Sequence, residues 1–200
     1  MSAAIALQPL LDARTVWRAG RQAQAPLDAL STGHAGLDAL LPCGGWPRAA
    51  LSELLIPWDG VGELSLLLPA IAALAARGGR VVLVAPPYVP YAPAWRQAGV
   101  DLAALTVVDA GKDAPWAMEQ CLRSGSCDMV LGWTRGDAQS LRRLQVAAQS
   151  GQCIGIAVRD ARHAANPSPA VLRLHCVGGQ WHVRKCRGAA APVQGFALAH

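Results

Sequence analysis

Apolar and polar positions follow two different periods along this chain. In residues 4–24, Ile5, Leu10, Leu11 and Trp17 recur at helical spacing while Arg14, Arg18 and Arg21 fall on another side, which predicts a helix closed by Pro26. From residue 31 onward, short runs rich in Val, Ile and Leu alternate with helix-like stretches. The expected strands are Leu51–Ile56, Arg80–Ala85, Leu105–Asp109, Asp128–Gly132, Cys153–Val158, Val171–Cys176 and Trp181–Lys185. The expected helices are Glu63–Arg77, Tyr91–Ala98, Ala114–Arg123 and Ala138–Ser150. Buried-type strands separated by helices indicate βαβ units, hence an α/β fold with a mostly parallel sheet flanked by helices. Gly178-Gly179-Gln180 joins the last two strands as a C-terminal β-hairpin. The chain therefore divides into a helical segment 1–30, a domain 31–187 and an Ala-rich stretch 188–200 that reads as a flexible tail. The first segment could pack on the domain or serve as a docking arm for a partner.

Composition narrows the class. At 200 residues, 52% apolar and 16% charged, the chain can bury a substantial single-domain core and is too apolar for disorder. The longest apolar run, Leu64 to Ala76, contains Ser65 and Pro69 and is too short to cross a bilayer. No early basic residue precedes an apolar core, so a signal peptide is not expected and a cytoplasmic location is. The six cysteines contain no C-x-x-C pair, and the His175, Cys176, His182, Cys186 cluster lacks usual zinc spacing. No metal is expected. Charge is uneven: residues 1–130 hold 9 basic and 11 acidic side chains, and residues 131–200 hold 9 and 2. A basic final third suits a nucleic-acid or acidic-protein contact, and equally a solubilising surface.

The informative segment runs from Ile56 to Leu64, between an expected strand and an expected helix. A phosphate-binding loop sits at such a junction, with the form G-x-x-x-x-G-K-[ST]. Backbone N–H groups and the helix N-terminus then hold the phosphates, the Lys neutralises them and the hydroxyl meets magnesium. Here Gly62 fits the last glycine, with Gly60 inside the loop, but Pro57 stands at the first, Glu63 at the Lys and Leu64 at the hydroxyl position. A carboxylate facing a phosphate at about 4 Å is repelled by about 4 kcal/mol at an effective dielectric near 20. The helix dipole returns only about 0.3–1 kcal/mol. Repulsion wins, so no nucleotide cofactor is expected.

Neighbouring motifs carry a family resemblance. Ser31-Thr32-Gly33, Leu37-Asp38, Gly44-Gly45-Trp46-Pro47 and Glu53 resemble the approach to the phosphate loop in RecA recombinases. Ala98–Leu102 and Arg123–Val130 resemble later segments of that family. The resemblance implies a RecA-like P-loop NTPase core. It also implies that the acid ending the Walker B strand falls at Trp133 and the water-activating Glu near Pro87. Both are replaced, so no catalytic residue is expected and the chain is not expected to be an enzyme. The second DNA loop is cut to about 160–168, short for a filament-type clamp.

Leu30–Asp38, Gly44–Pro47, Val84–Pro87, Pro90–Pro93 and Pro167–Ala170 look like the ImuA family, RecA-like accessory proteins of bacterial mutagenesis cassettes. That resemblance implies a role in SOS-induced translesion DNA synthesis. Its implied partners are ImuB, an inactive Y-family polymerase relative, an error-prone C-family DNA polymerase, and RecA. The alternatives are a SulA-like cell-division inhibitor and a DNA-stimulated ATPase with an atypical site.

The remaining candidates are surfaces. Leu10, Leu11, Arg14 and Trp17 of the first segment, with Tyr88 and Tyr91 of a proline-stiffened loop, are candidate partner contacts. The tyrosines could instead cover the old nucleotide site, which Trp58 and Trp133 are expected to fill as core. Arg135, Arg142, Arg143, Arg159 and Arg162 are candidate weak contacts to single-stranded DNA, or ordinary solvated arginines.

Overall fold

A computed structural model describes residues 28–198. The expected helix at 4–24, with Leu10, Leu11, Arg14 and Trp17, lies outside them. The described chain opens with a two-residue strand β1 (Ala29–Leu30), helix α1 (Ala35–Leu40) and β2 (Trp46–Pro47). It continues as β3 (Ala50–Ile56), α2 (Glu63–Ala75), β4 (Val81–Val84), α3 (Ala92–Gln97), β5 (Leu105–Val108) and α4 (Ala114–Arg123). Then follow β6 (Met129–Trp133), α5 (Ala138–Ser150), β7 (Ile154–Asp160), β8 (Leu172–Val177), β9 (Gln180–Cys186) and β10 (Gly195–Ala197).

The main sheet has eight strands in the order β10-β9-β8-β3-β7-β6-β4-β5. Its pairs from β8 to β5 are parallel, and β8-β9 and β9-β10 are antiparallel. Period-2 alternation sorts β4 across two layers. Val81 and Leu83 face the core under α2 and α3, while Val82 and Val84 face α4 and α5. Helices thus cover both faces, as a buried parallel sheet requires. The α4/α5 layer reaches β3 through Leu51 and goes no further, since no residue of β8 or β9 joins that cluster.

Local chemistry sets the element ends. Asp137 caps α5 by accepting from the Ser140 N–H at 2.8 Å and its hydroxyl at 2.9 Å, and these bonds hold its carboxyl below the usual range. Pro69 lies inside α2, yet the helix continues through it. Its ring abuts Gly33, where a Cβ would fall 2.3 Å from the proline Cβ and where φ is +81°. Asp38 closes the Ser-Thr-Gly turn, accepting from the Ser31 hydroxyl at 2.6 Å and the Thr32 N–H at 2.9 Å.

Two boundaries differ from expectation. Ala29 and Leu30 pair with Pro47 and Trp46, so the fold begins before residue 31. The expected tail contributes β10, with Gly195, Phe196 and Ala197 paired to His182, Trp181 and Gln180. Phe196 packs partly buried against the core and lies 5.5 Å from the His34 ring. One aromatic residue in an Ala-rich stretch gave no periodic signal, and pairing came from the open edge of β9.

Candidate functional site

The phosphate-loop junction falls at the carboxyl end of β3, where open parallel sheets bind ligands. Gly60 and Gly62 adopt left-handed conformations, φ +89° and +99°, which glycine adopts without strain. Pro57 and Trp58 are exposed. Glu63 begins α2 and is only 3% exposed. Its Oε1 accepts from the Gly60 N–H at 3.1 Å, and its Oε2 is buried without a hydrogen-bond partner among the described residues. The carboxylate therefore folds back onto a loop N–H and the helix N-terminus, groups that would otherwise face an anion. Leu64 packs against the core in place of a hydroxyl. The segment after β10 reaches the end of the loop: a Cβ on Gly62 would meet Leu198 Cδ1 at 3.2 Å.

The two expected indoles part company. Trp133 ends β6 half-buried against the α2 layer, with its indole N–H unpartnered among the described residues. Trp58 does not fill the cleft; it is 70% exposed. Its loop projects past the end of β3, whereas Trp133 is held by the strand itself. Pro87 is exposed, and Tyr88 and Tyr91 are 72% and 71% exposed, so the tyrosines do not cover the old site as core. Trp95 supplies the buried aromatic of that region instead.

The arginine candidates separate sharply. Arg159 is not available to DNA: its side chain is 4% exposed, with Nη1 2.6 Å from Glu53 Oε1 and Nη2 donating to the Gly136 carbonyl at 2.7 Å. Register explains the contact. Glu53 lies opposite Arg173 in the β3–β8 pair, and Arg159 lies opposite Leu55 in the β3–β7 pair, two residues along on the same face. Arg173 closes a buried triad through Nε on Glu53 Oε2. Its other nitrogens donate to the carbonyls of His163, Ala164 and Asn166, pinning the loop after β7. Arg143 is half-exposed but bound to Glu119 at 2.6 Å. Arg135 and Arg142 are exposed, and Arg162 is exposed beside Asp160 at 3.6 Å. Burial, then the charges of Arg159 and Arg162, hold the His163 pKa below its usual value. The Glu53–Arg173 pairing escaped sequence reading, because 120 residues separate the partners.

Strand β7 lies between β3, which leads into the phosphate loop, and β6, which carries the Walker B position. That order, with the glycine junction and the Ser-Thr-Gly turn, defines a RecA-like α/β domain. The RecA N-terminal domain family matches residues 6–134, and the chain belongs to it. Protein RecA of Leifsonia xyli subsp. xyli is 33% identical over 119 residues, covering 58% of this chain and 33% of that one. Protein RecA of Rhodospirillum centenum is 34% identical over 113 residues, covering 56% and 31%. The chain thus spans about a third of the length of these relatives. The crystal structure of SulA from Pseudomonas aeruginosa is 27% identical, with a TM-score of 0.47, covering 56% of this chain and 98% of that one.

Among the described residues no three His, Cys, Asp or Glu side chains gather as a metal site, and no helix is long and apolar enough to cross a membrane.

Proposed function

We propose that this chain is a RecA-like domain without nucleotide hydrolysis, acting through protein contacts as an ImuA-type accessory factor in damage-induced translesion synthesis in the cytoplasm. One observation carries the first half: Glu63, at the position of the phosphate-binding Lys, is buried with its carboxylate on the Gly60 N–H. An incoming phosphate would have to displace a carboxylate already held by the chain. Trp133 and Pro87 supply no acid for magnesium or for activating water. The second half rests on the ImuA-like motifs and on aromatic side chains left in solvent. Trp58, Tyr88 and Tyr91 project from loops at the carboxyl edge of β3 and β4, and such rings give contact area at low entropic cost. The partners of this reading are an ImuB-like inactive polymerase, an error-prone C-family polymerase and RecA.

Calorimetry between the full chain and ImuB from the same cell tests it. Saturable micromolar binding, weakened by changing Tyr88 and Tyr91 together to Ser, supports the reading. No binding between two folded proteins overturns it. A parallel Mg-ATP titration is expected to give no heat. Tight binding that disappears with Gly62→Val would overturn the non-hydrolysing half.

A further inference from the structure

Asp160 is the last acidic residue of the chain, and the forty residues after it carry five Lys or Arg and four His. Part of that charge converges on one cleft. His175 of β8 and His182 of β9 lie directly opposite each other in the antiparallel register. Directly opposed side chains on one face of such a pair have Cβ atoms about 4.5–5.5 Å apart. A register shift between Arg173 and Leu174 leaves Arg184 as the extra residue of β9 beside them. After β9 the chain bridges back once, Ala189 to Cys186, and rejoins as β10 only at His182. The gap is a cleft of about 320 Å³, lined by His175, His182, Arg184, Val177, Pro192 and Val193. The α4/α5 layer does not extend over it. Gly195 runs close beside His182, and a Cβ there would fall 2.6 Å from His182 Cε1.

No carboxylate lines this cleft, and Arg184 makes no salt bridge among the described residues. Burial, then the charges of Arg184, His182 and Arg173, hold the His175 pKa below its usual value. The groups around His175 repel its proton, so a bound anion would reverse the balance. The apolar wall is open: Val177 is 50% exposed and Val193 97% exposed. An enclosed ring of donors would suit a small free anion. An open cleft with cationic groups on one side and aliphatic ones on the other suits a chain bearing carboxylates beside apolar groups.

We propose that the His175–His182–Arg184 cleft binds an acidic peptide segment of a partner protein, the carboxylates meeting the imidazoles and guanidinium while apolar neighbours cover Val177 and Val193. This site lies on β8 and β9, beyond the reach of the α4/α5 layer, and neither its success nor its failure depends on the accessory role proposed above.

The test is proton NMR of the histidine Cε1–H signals of the full chain between pH 5 and 8, with His175→Gln and His182→Gln variants assigning the signals. The probes are a capped tetrapeptide of alternating glutamate and leucine and, separately, inorganic phosphate. The expected result is saturable peptide binding that raises the His175 midpoint, with affinity falling about tenfold in Arg184→Gln, whose side chain is exposed. Three results overturn the proposal. One is an unmoved His175 midpoint at saturating peptide. Another is an effect unchanged in Arg184→Gln. The third is a response to phosphate but not to peptide.

Discussion

Changing Glu53→Gln tests the buried triad. Glu53 is fully buried and, among the described residues, is the only acidic partner of two arginines whose side chains are 4% and 7% exposed. The substitution leaves two guanidinium groups in the sheet with no countercharge. Breaking a buried ion pair by removing one partner costs about 3–5 kcal/mol. At about 2–4 °C per kcal/mol for a chain of 150–250 residues, the melting temperature should fall by about 6–20 °C. Urea denaturation followed by circular dichroism should show a lower midpoint with an unchanged slope. The loss should concentrate where the arginines pin backbone, at Gly136 and at His163, Ala164 and Asn166, so amide exchange in 134–137 and 161–170 should accelerate first. Replacing all three side chains together with Met should recover most of the loss, because no unpaired charge then remains buried. A cost below about 1 kcal/mol for Glu53→Gln would refute the reasoning, since that is what exposed pairs are worth.

Gly33→Ala should destabilise by about 2 kcal/mol or more, because its Cβ would strike Pro69 at 2.3 Å in a left-handed backbone. Gly44→Ala, also left-handed at φ +68° but with nothing within 4 Å, should cost about 1 kcal/mol, and equal midpoints for the two variants would contradict the contact. Asp137→Ala should lower the urea midpoint through loss of the α5 cap, whereas Asp137→Ser should retain most of the stability. His163 and His175 have folded pKa values below 6.5, so the unfolded chain binds their protons first as pH falls. Stability from these two groups is full above pH 6.5 and declines below it, down to their folded pKa values. The melting temperature should therefore drop between pH 7.5 and 5.5, and less steeply in the double His→Gln variant; identical slopes would refute the assignment.

What the sequence made legible was local. Strand runs of Val, Ile and Leu mark their own positions, and α4 and α5 span the residues that the helix-like runs indicate. The glycine junction before α2 was legible for the same reason: a fixed spacing within nine residues. The misses share a different cause. Arg159 reads as a basic residue after a strand, and only the β3–β7 register turns it inward to Glu53. Phe196 reads as an isolated aromatic, and only the unpaired edge of β9 gives it a place. Trp58 reads as core by its hydrophobicity, yet its loop leaves the sheet. Long-range register, not propensity, decides the first two, and register is set by which edges and faces the rest of the fold leaves open.

The same distinction bears on the phosphate loop. From sequence, Glu63 counts as a repulsive charge facing an incoming anion. In the structure it is an occupant, buried and bonded to Gly60, with Leu198 against Gly62 outside it. These lead to different outcomes for Glu63→Lys. If repulsion alone excluded nucleotide, reversing the charge would permit weak Mg-ATP binding. If occupancy excludes it, the new Lys must leave its buried position, the Gly60 N–H loses its acceptor, and Leu198 still lies beside Gly62. Binding should then stay undetectable while stability falls by about 1–3 kcal/mol, the cost of a buried polar group left unpaired. A variant that binds Mg-ATP with an unchanged urea midpoint would show that charge alone had closed the site.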